Sequence, residues 1–306
     1  MSAGSDPEHL RTPAAEGGGG TTSAARVWGR VPVAVRAVMI GFIVLVAGNF
    51  LPQVLFAANL KSPAAPWSAA LIAVYLWLYW QYVGGRWWPR STSAARRRDL
   101  RAVPLSPVLW RWSLVAGALG IAALTTLTYA LGRLVPLGLD FPEVLERLPP
   151  VTMVTMVVTI SIMAGIVEEA AFRGYMQSRI ERRHGPVMAV LVVSVFFVLA
   201  HFPTSIAALP RMCLILIASI GYGILAYVAG SILPGLVLHA AGDIVGFGLL
   251  WLSLRGTSAT SKPPALGLGN PMFWANVVET VVLGILTVWA FRRLAAASRV
   301  AHRQPA

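Results

Sequence analysis

Residues 151–173 read VTMVTMVVTISIMAGIVEEAAFR. An uncharged apolar run ends in two adjacent carboxylates, Glu168 and Glu169, followed by Arg173. The run itself reads as a membrane helix. Charge inside such a helix is costly unless it is paired or put to use. Two later apolar stretches each add a histidine, His201 and His239, and the second also adds Asp243. How these three stretches meet decides both the fold and the function.

The rest of the chain has the same character. Of its 306 residues, 57% are hydrophobic and 12% charged, against about 25% charged in a soluble domain. Mean hydropathy is +0.69. This is the composition of a membrane protein, whose first partner is the lipid bilayer. The formal net charge is +13. The arginines cluster beside apolar runs, as they do in cytoplasmic loops, so the charge argues for a topology and against nucleic acid as a partner. Cys213 is the single cysteine, which excludes an internal disulfide. The first apolar run begins near Ala37 and is too long for a signal-peptide core, so it reads as a retained span.

About 20 apolar residues in a helix cross the hydrocarbon core. Stretches of roughly that length recur at 37–57, 67–83, 109–131, 151–177, 187–206, 212–229, 232–254 and 273–290. The fold class expected is therefore an all-α integral membrane protein of about eight transmembrane helices. The sixth and seventh spans are separated only by Gly230 and Ser231 and should form a tight antiparallel pair. Arginine is dense before the first span, after the second (Arg86 to Arg101), after the fourth (Arg179, Arg182, Arg183) and after the eighth. The alternate loops are poorer, so both termini are expected in the cytoplasm. The expected divisions are a disordered tail (1–25), a multi-span membrane domain (26–295, motif-bearing core about 151–250) and a cytoplasmic tail (296–306). The membrane expected is a bacterial plasma (inner) membrane.

Glu169 and Arg173 are four apart and on a helix can pair. Glu168 is rotated by about 100° and can face another neighbour. An ion-pair knot that fixes helix packing would use the same residues. Phe197 lies four before His201 and shares its face. A lone membrane histidine often only hydrogen-bonds a neighbouring helix, and His184 lies in a basic stretch facing water. His239 and Asp243 are again four apart, so the carboxylate can hold the imidazole by its second nitrogen and fix its orientation. A buried His–Asp pair that only packs two helices is the plainer alternative. Glu279 and Asn276 read as interfacial or packing groups. One carboxylate and two imidazoles on three helices are the inventory of a site that activates water. The carboxylate can take a proton, and the imidazoles can bind a metal or steady an oxyanion.

The order Glu-Glu-x-x-x-Arg (Glu168, Glu169, Arg173), Phe-x-x-x-His (Phe197, His201) and His-x-x-x-Asn/Asp (His239, Asp243) resembles the CPBP intramembrane proteases, with aspartate at 243 where the type II CAAX endopeptidases are expected to carry asparagine. That family includes the type II CAAX prenyl endopeptidases and the bacteriocin-processing and immunity proteins. The resemblance implies a multi-span helical fold enclosing a polar intramembrane cavity and a peptide or membrane-protein substrate. It implies Glu168 as general base, His201 as the group holding water or metal, and His239 with Asp243 completing the site or an oxyanion hole. Glu169, Arg173 and Phe197 would support them. If a metal is used, Glu168, His201 and His239 are its ligands, and zinc suits that donor set. A non-proteolytic scaffold or immunity protein is the first alternative. A proton-coupled secondary transporter is the second, although no inverted repeat or pair of broken helices is visible. One feature resists this reading. His201 lies about 16 residues, or roughly 24 Å, into the fifth span, while Glu168 lies near the inner end of the fourth. A long fourth helix projecting into the cytoplasm, or a kink at Pro203, would bring them level.

Overall fold

The structure, a computed structural model, describes residues 23–137, 148–202, 206, 209–256 and 267–301. Helix α1 (Ser23–Arg30) belongs to a unit of its own, 1–32. The expected disordered tail lies outside the described residues up to position 22, and its last three residues open α1. The second unit, 33–306, holds everything else. Its helices are α2 (Val33–Lys61), α3 (Trp67–Val83), α4 (Ser93–Leu100), α5 (Pro107–Gly132), α6 (Pro150–Glu168), a π-helical turn (Glu169–Gln177), α7 (Ser178–Ala200), α8 (Arg211–Ala229), α9 (Leu233–Gly256) and α10 (Pro271–Ala301). Among the described residues all regular structure is helical, as expected of a chain that must satisfy its backbone without water.

The ends of these helices follow from local chemistry. Ser106 caps α5, its hydroxyl accepting from the Leu109 amide at 3.4 Å with Pro107 at the first position. Asn59 is buried at the end of α2. Its side chain accepts from the Ser68 amide at 3.0 Å and donates to the Ala65 carbonyl at 2.9 Å, which fixes the turn into α3. Between α8 and α9 stand only Gly230, Ser231 and Ile232, the expected tight connection.

Six helical stretches among the described residues are long and apolar enough to cross a membrane. Eight were expected, and the difference arises in two places. Helix α3 has only 17 residues. The expected fourth and fifth spans form one helical stretch, Pro150–Ala200. The basic stretch that reads as a loop in sequence, Arg179 to Arg183, is helical, and the chain reverses instead at Gly185 (φ 80°, ψ 169°) just before Pro186. A β-carbon at that φ would be strained, and Pro186 cannot continue the helix bonding.

This shifted turn builds the molecule's central hairpin. Gly185 lies seventeen residues after Glu168 and sixteen before His201, so two arms of nearly equal length bring those residues level. The arms meet along a stripe with a four-residue step. Phe172, Met176 and Ile180 on one arm share a buried cluster with Ala189, Val193 and Phe197 on the other. The Phe172 and Phe197 rings meet edge to face at 5.0 Å.

Helix α4 clamps the hairpin from the side. Asp99, 1% exposed, accepts from Arg179 and from Arg182 (2.6 Å), and Arg101 reaches both oxygens of Glu181 at 3.0 Å. The basic residues that suggest orientation in the sequence therefore also carry structural ion pairs. Helix α9 lies close against α6, where a β-carbon on Gly165 would stand 2.7 Å from the Leu236 carbonyl oxygen. That close approach sets His239 beside the start of the π-helical turn.

Candidate functional site

The π-helical turn begins one residue after Glu168, and all nine of its residues are buried. Such turns are frequent at functional sites. Its first residue, Glu169, is fully buried and forms an ion pair with the equally buried Arg173, Nη1 to Oε1 at 3.1 Å, as the four-residue spacing suggests. The other end of the guanidinium donates to the Ser219 hydroxyl at 3.1 Å. Its carbon sits 4.4 Å from the Phe197 ring centroid and 5.5 Å from that of Tyr222. Arg173 is thus held by a carboxylate, a hydroxyl and two ring faces.

Glu169 has a second partner. Its Oε1 accepts from Nδ1 of His239 at 3.0 Å. The sequence reading gave that orienting place to Asp243, and the structure corrects it. Asp243 lies on the other edge of the ring, its Oδ2 3.8 Å from Nε2. Tyr222 stacks on the imidazole at 5.1 Å and fixes its plane. Glu169 already occupies Nδ1, and the carboxylate four residues along on the same helix reaches only the ring's other nitrogen.

His201 is fixed in the same way by a different acceptor. Its Nδ1 donates to the Phe197 carbonyl at 2.8 Å, since a carbonyl can only accept. Its ring stacks on Phe197 at 4.5 Å. With both Nδ1 atoms committed, the Nε2 atoms of the two histidines are left to face the interior of the site. There one atom is common to both. Glu168 Oε2 lies 3.7 Å from each Nε2. It is buried and accepts no hydrogen bond from the protein. A buried acceptor without a partner calls for a donor from outside the chain.

The four proposed catalytic residues, Glu168, His201, His239 and Asp243, are therefore brought together, with Glu169, Arg173 and Phe197 directly behind them. Glu168 and His201 line a recess of about 330 Å³ with Asn49, Gln53 and Phe50 of α2. Asp243 lines another of about 310 Å³ with Thr125, Thr128 and Tyr129. Pro203 lies outside the described residues, and the nearly equal arms of the hairpin suffice to level Glu168 with His201. Glu279 is exposed and Asn276 is buried on α10, and neither lines these two recesses.

The sequence reading missed Ser219 and Tyr222, which face Arg173 and His239 from α8. Three apart in an apolar span, they share a helix face, and that spacing was the available signal. Among the described residues no group of three or more His, Cys, Asp or Glu is arranged to hold a metal ion. The donor types at Glu168, His201 and His239 nonetheless suit zinc.

Residues 150–245 match the family model of type II CAAX prenyl endopeptidases of the Rce1-like kind. The chain carries an Rce1-like segment. That segment runs from the first residue of α6 into α9 and contains every residue of the constellation just described. No curated protein and no solved structure matches the chain. The Rce1-like segment leaves out α1 to α5 and α10, so Asn49 and Gln53 lie outside it.

Proposed function

We propose that this chain is a CPBP-type intramembrane endopeptidase in which Glu168 activates the hydrolytic water. One observation carries the reading. The buried, unpartnered Oε2 of Glu168 faces two Nε2 atoms whose rings are locked by Glu169 and by the Phe197 carbonyl. The separation of 3.7 Å is too long for a direct hydrogen bond and short enough for one oxygen to reach both groups. A water there gives one hydrogen to Glu168 and the other to an imidazole. As its oxygen attacks the peptide carbonyl carbon, Glu168 takes the first proton. It returns that proton to the amide nitrogen as the C–N bond breaks, leaving an acid and an amine. Asp243 stands where it can accept from Nε2 of His239 whenever that nitrogen carries a proton.

Zinc bound at this place would be held by Glu168, His201 and His239, and would supply Lewis acidity toward the carbonyl and the water. The steps above use only the chain's own groups. The substrate is a peptide or membrane protein entering a polar cavity within a multi-span membrane domain, with both termini in the cytoplasm of a bacterial cell. The membrane is the plasma (inner) membrane.

Glu168→Gln tests the reading. It keeps the shape and loses the base, so cleavage should fall by at least a thousandfold while insertion and folding persist. The assay is a proteome-wide comparison of new peptide termini between cells holding the wild type and the variant, followed by cleavage of the peptides found. Wild-type rates in purified Glu168→Gln protein would overturn it.

A further inference from the structure

Helix α2 brings two amide side chains, Asn49 and Gln53, into an otherwise apolar span. The mechanism above uses neither. Both line the recess that Glu168 and His201 line. The third amide of α2, Asn59, is occupied by the turn into α3.

The placement of α2 is built in. A β-carbon on Gly41 would come 3.2 Å from the Ala171 carbonyl oxygen, and one on Gly48 would come 2.4 Å from Val167 Cγ1. These glycines are seven apart, two helical turns, so one face of α2 sits on the stretch that carries Glu168 and Glu169. Asn49 and Gln53 stand one turn apart beside that seat. Asn49 donates one amide hydrogen to the Leu45 carbonyl at 3.0 Å, which leaves its oxygen and second N–H for other partners. Gln53 is exposed. An exposed amide in so apolar a helix is not there for packing and calls for a polar partner.

We propose that Asn49 and Gln53 bind the backbone of the substrate peptide and hold it extended across Glu168. The inference rests on the endopeptidase reading and assigns that site its mode of substrate recognition. A peptide bond open to attack must leave its helix, and in lipid every N–H and C=O freed in that way needs a partner. A primary amide presents a donor and an acceptor side by side, as a peptide unit requires. Two amides one turn apart stand about 6 Å apart along the axis. Peptide units of an extended chain that point the same way repeat every ~6.7 Å. The two spacings match closely enough for one peptide to engage both amides. Val46 and Phe50, exposed on the same recess, give the substrate's side chains an apolar wall. The substrate class is therefore an apolar segment read through its backbone, with no charged side chain required.

The test uses full-length protein in detergent and internally quenched apolar peptides from a randomised-sequence library, chosen by binding to Glu168→Gln protein and then offered to wild type. Asn49→Leu and Gln53→Leu suit the membrane and should fold. Each should raise KM about 5- to 10-fold, the size of one hydrogen bond, with kcat less affected. Gln53→Asn should recover part of the loss. Ester bonds placed one at a time along the peptide remove single N–H donors. One ester position should weaken wild-type cleavage by a similar factor and leave the double leucine variant unaffected. Binding of the uncleaved peptide is followed in parallel by fluorescence anisotropy on Glu168→Gln protein. Unchanged KM in both leucine variants, with no ester effect, would overturn the inference and leave the endopeptidase reading standing. Peptide binding that depends on the two amides without wild-type cleavage would uphold the inference and sink the endopeptidase. A peptide neither bound nor cut would overturn both.

Discussion

A single oxygen of Glu169 serves both Arg173 and His239, and this makes it the residue on which the site's order depends. Glu169→Gln leaves a fully buried guanidinium without its counter-charge, a loss of about 3–5 kcal/mol. The glutamine oxygen can still accept from Nδ1 of His239, so the molecules that do fold should keep cleaving. Thermal unfolding in detergent, set beside activity per folded molecule, separates these effects. A variant as stable as wild type but inactive would contradict this. Asp243 makes the contrast. Because Nδ1 of His239 is already held, Asp243→Asn should keep most activity, and Asp243→Ala should lose no more than about tenfold, roughly one hydrogen bond. An inert Asp243→Ala protein would return the orienting role to Asp243. The pair Glu169–Arg173 was legible in the sequence because four residues along one helix fix the geometry. The bond from Glu169 to His239 was not, because it spans 70 positions and depends on how α6 and α9 cross.

Helices α6 and α9 cross where Gly165 has no side chain. Gly165→Val would press branched atoms into the Leu236 carbonyl and the Ala240 backbone, 2.7 and 3.1 Å from a β-carbon. Neither neighbour is a flexible side-chain end, so α9 must move away. The overpacking should cost about 1–3 kcal/mol. It should reduce cleavage far more than Gly120→Val, whose β-carbon would meet only a Thr287 methyl at 3.6 Å. Equal activity in the two variants would show that the crossing does not set the site. The central hairpin teaches a related lesson. Residues 179–183 look like a loop because three arginines sit among five residues, yet Asp99 of α4 and Arg101 just after it supply partners that keep them helical. The true break was written in Gly185-Pro186, a pair of turn formers that outranks local charge. Counted from there, the level meeting of Glu168 and His201 can be read from the sequence.

At the scale of the whole molecule, composition alone made the class legible, since few other folds tolerate so little charge. The number of spans was less so. A 17-residue helix and a shared hairpin both sit at the margin of what length and hydropathy can separate. The asymmetry of the arginines still yields a definite expectation. Cysteines introduced at Arg98 and Arg183, both exposed, should react with a membrane-impermeant maleimide only after the cells are opened. Labelling of either site in intact cells would reverse the topology.

The first arm of the hairpin runs from Pro150 to the turn at Gly185. At about 1.5 Å per residue it is roughly 50 Å long. A bilayer core about 30 Å thick covers little more than half of it. The lipid must therefore deform, the arm must tilt, or part of it must stand in water, and the thickness of the membrane decides among these. Glu168 sits at mid-length, where a small change in coverage moves its carboxylate from hydrocarbon to interface. Cleavage in vesicles of graded acyl-chain length should accordingly pass through an optimum. A rate that stays flat from short to long chains would show that the protein holds its own wet pocket whatever surrounds it.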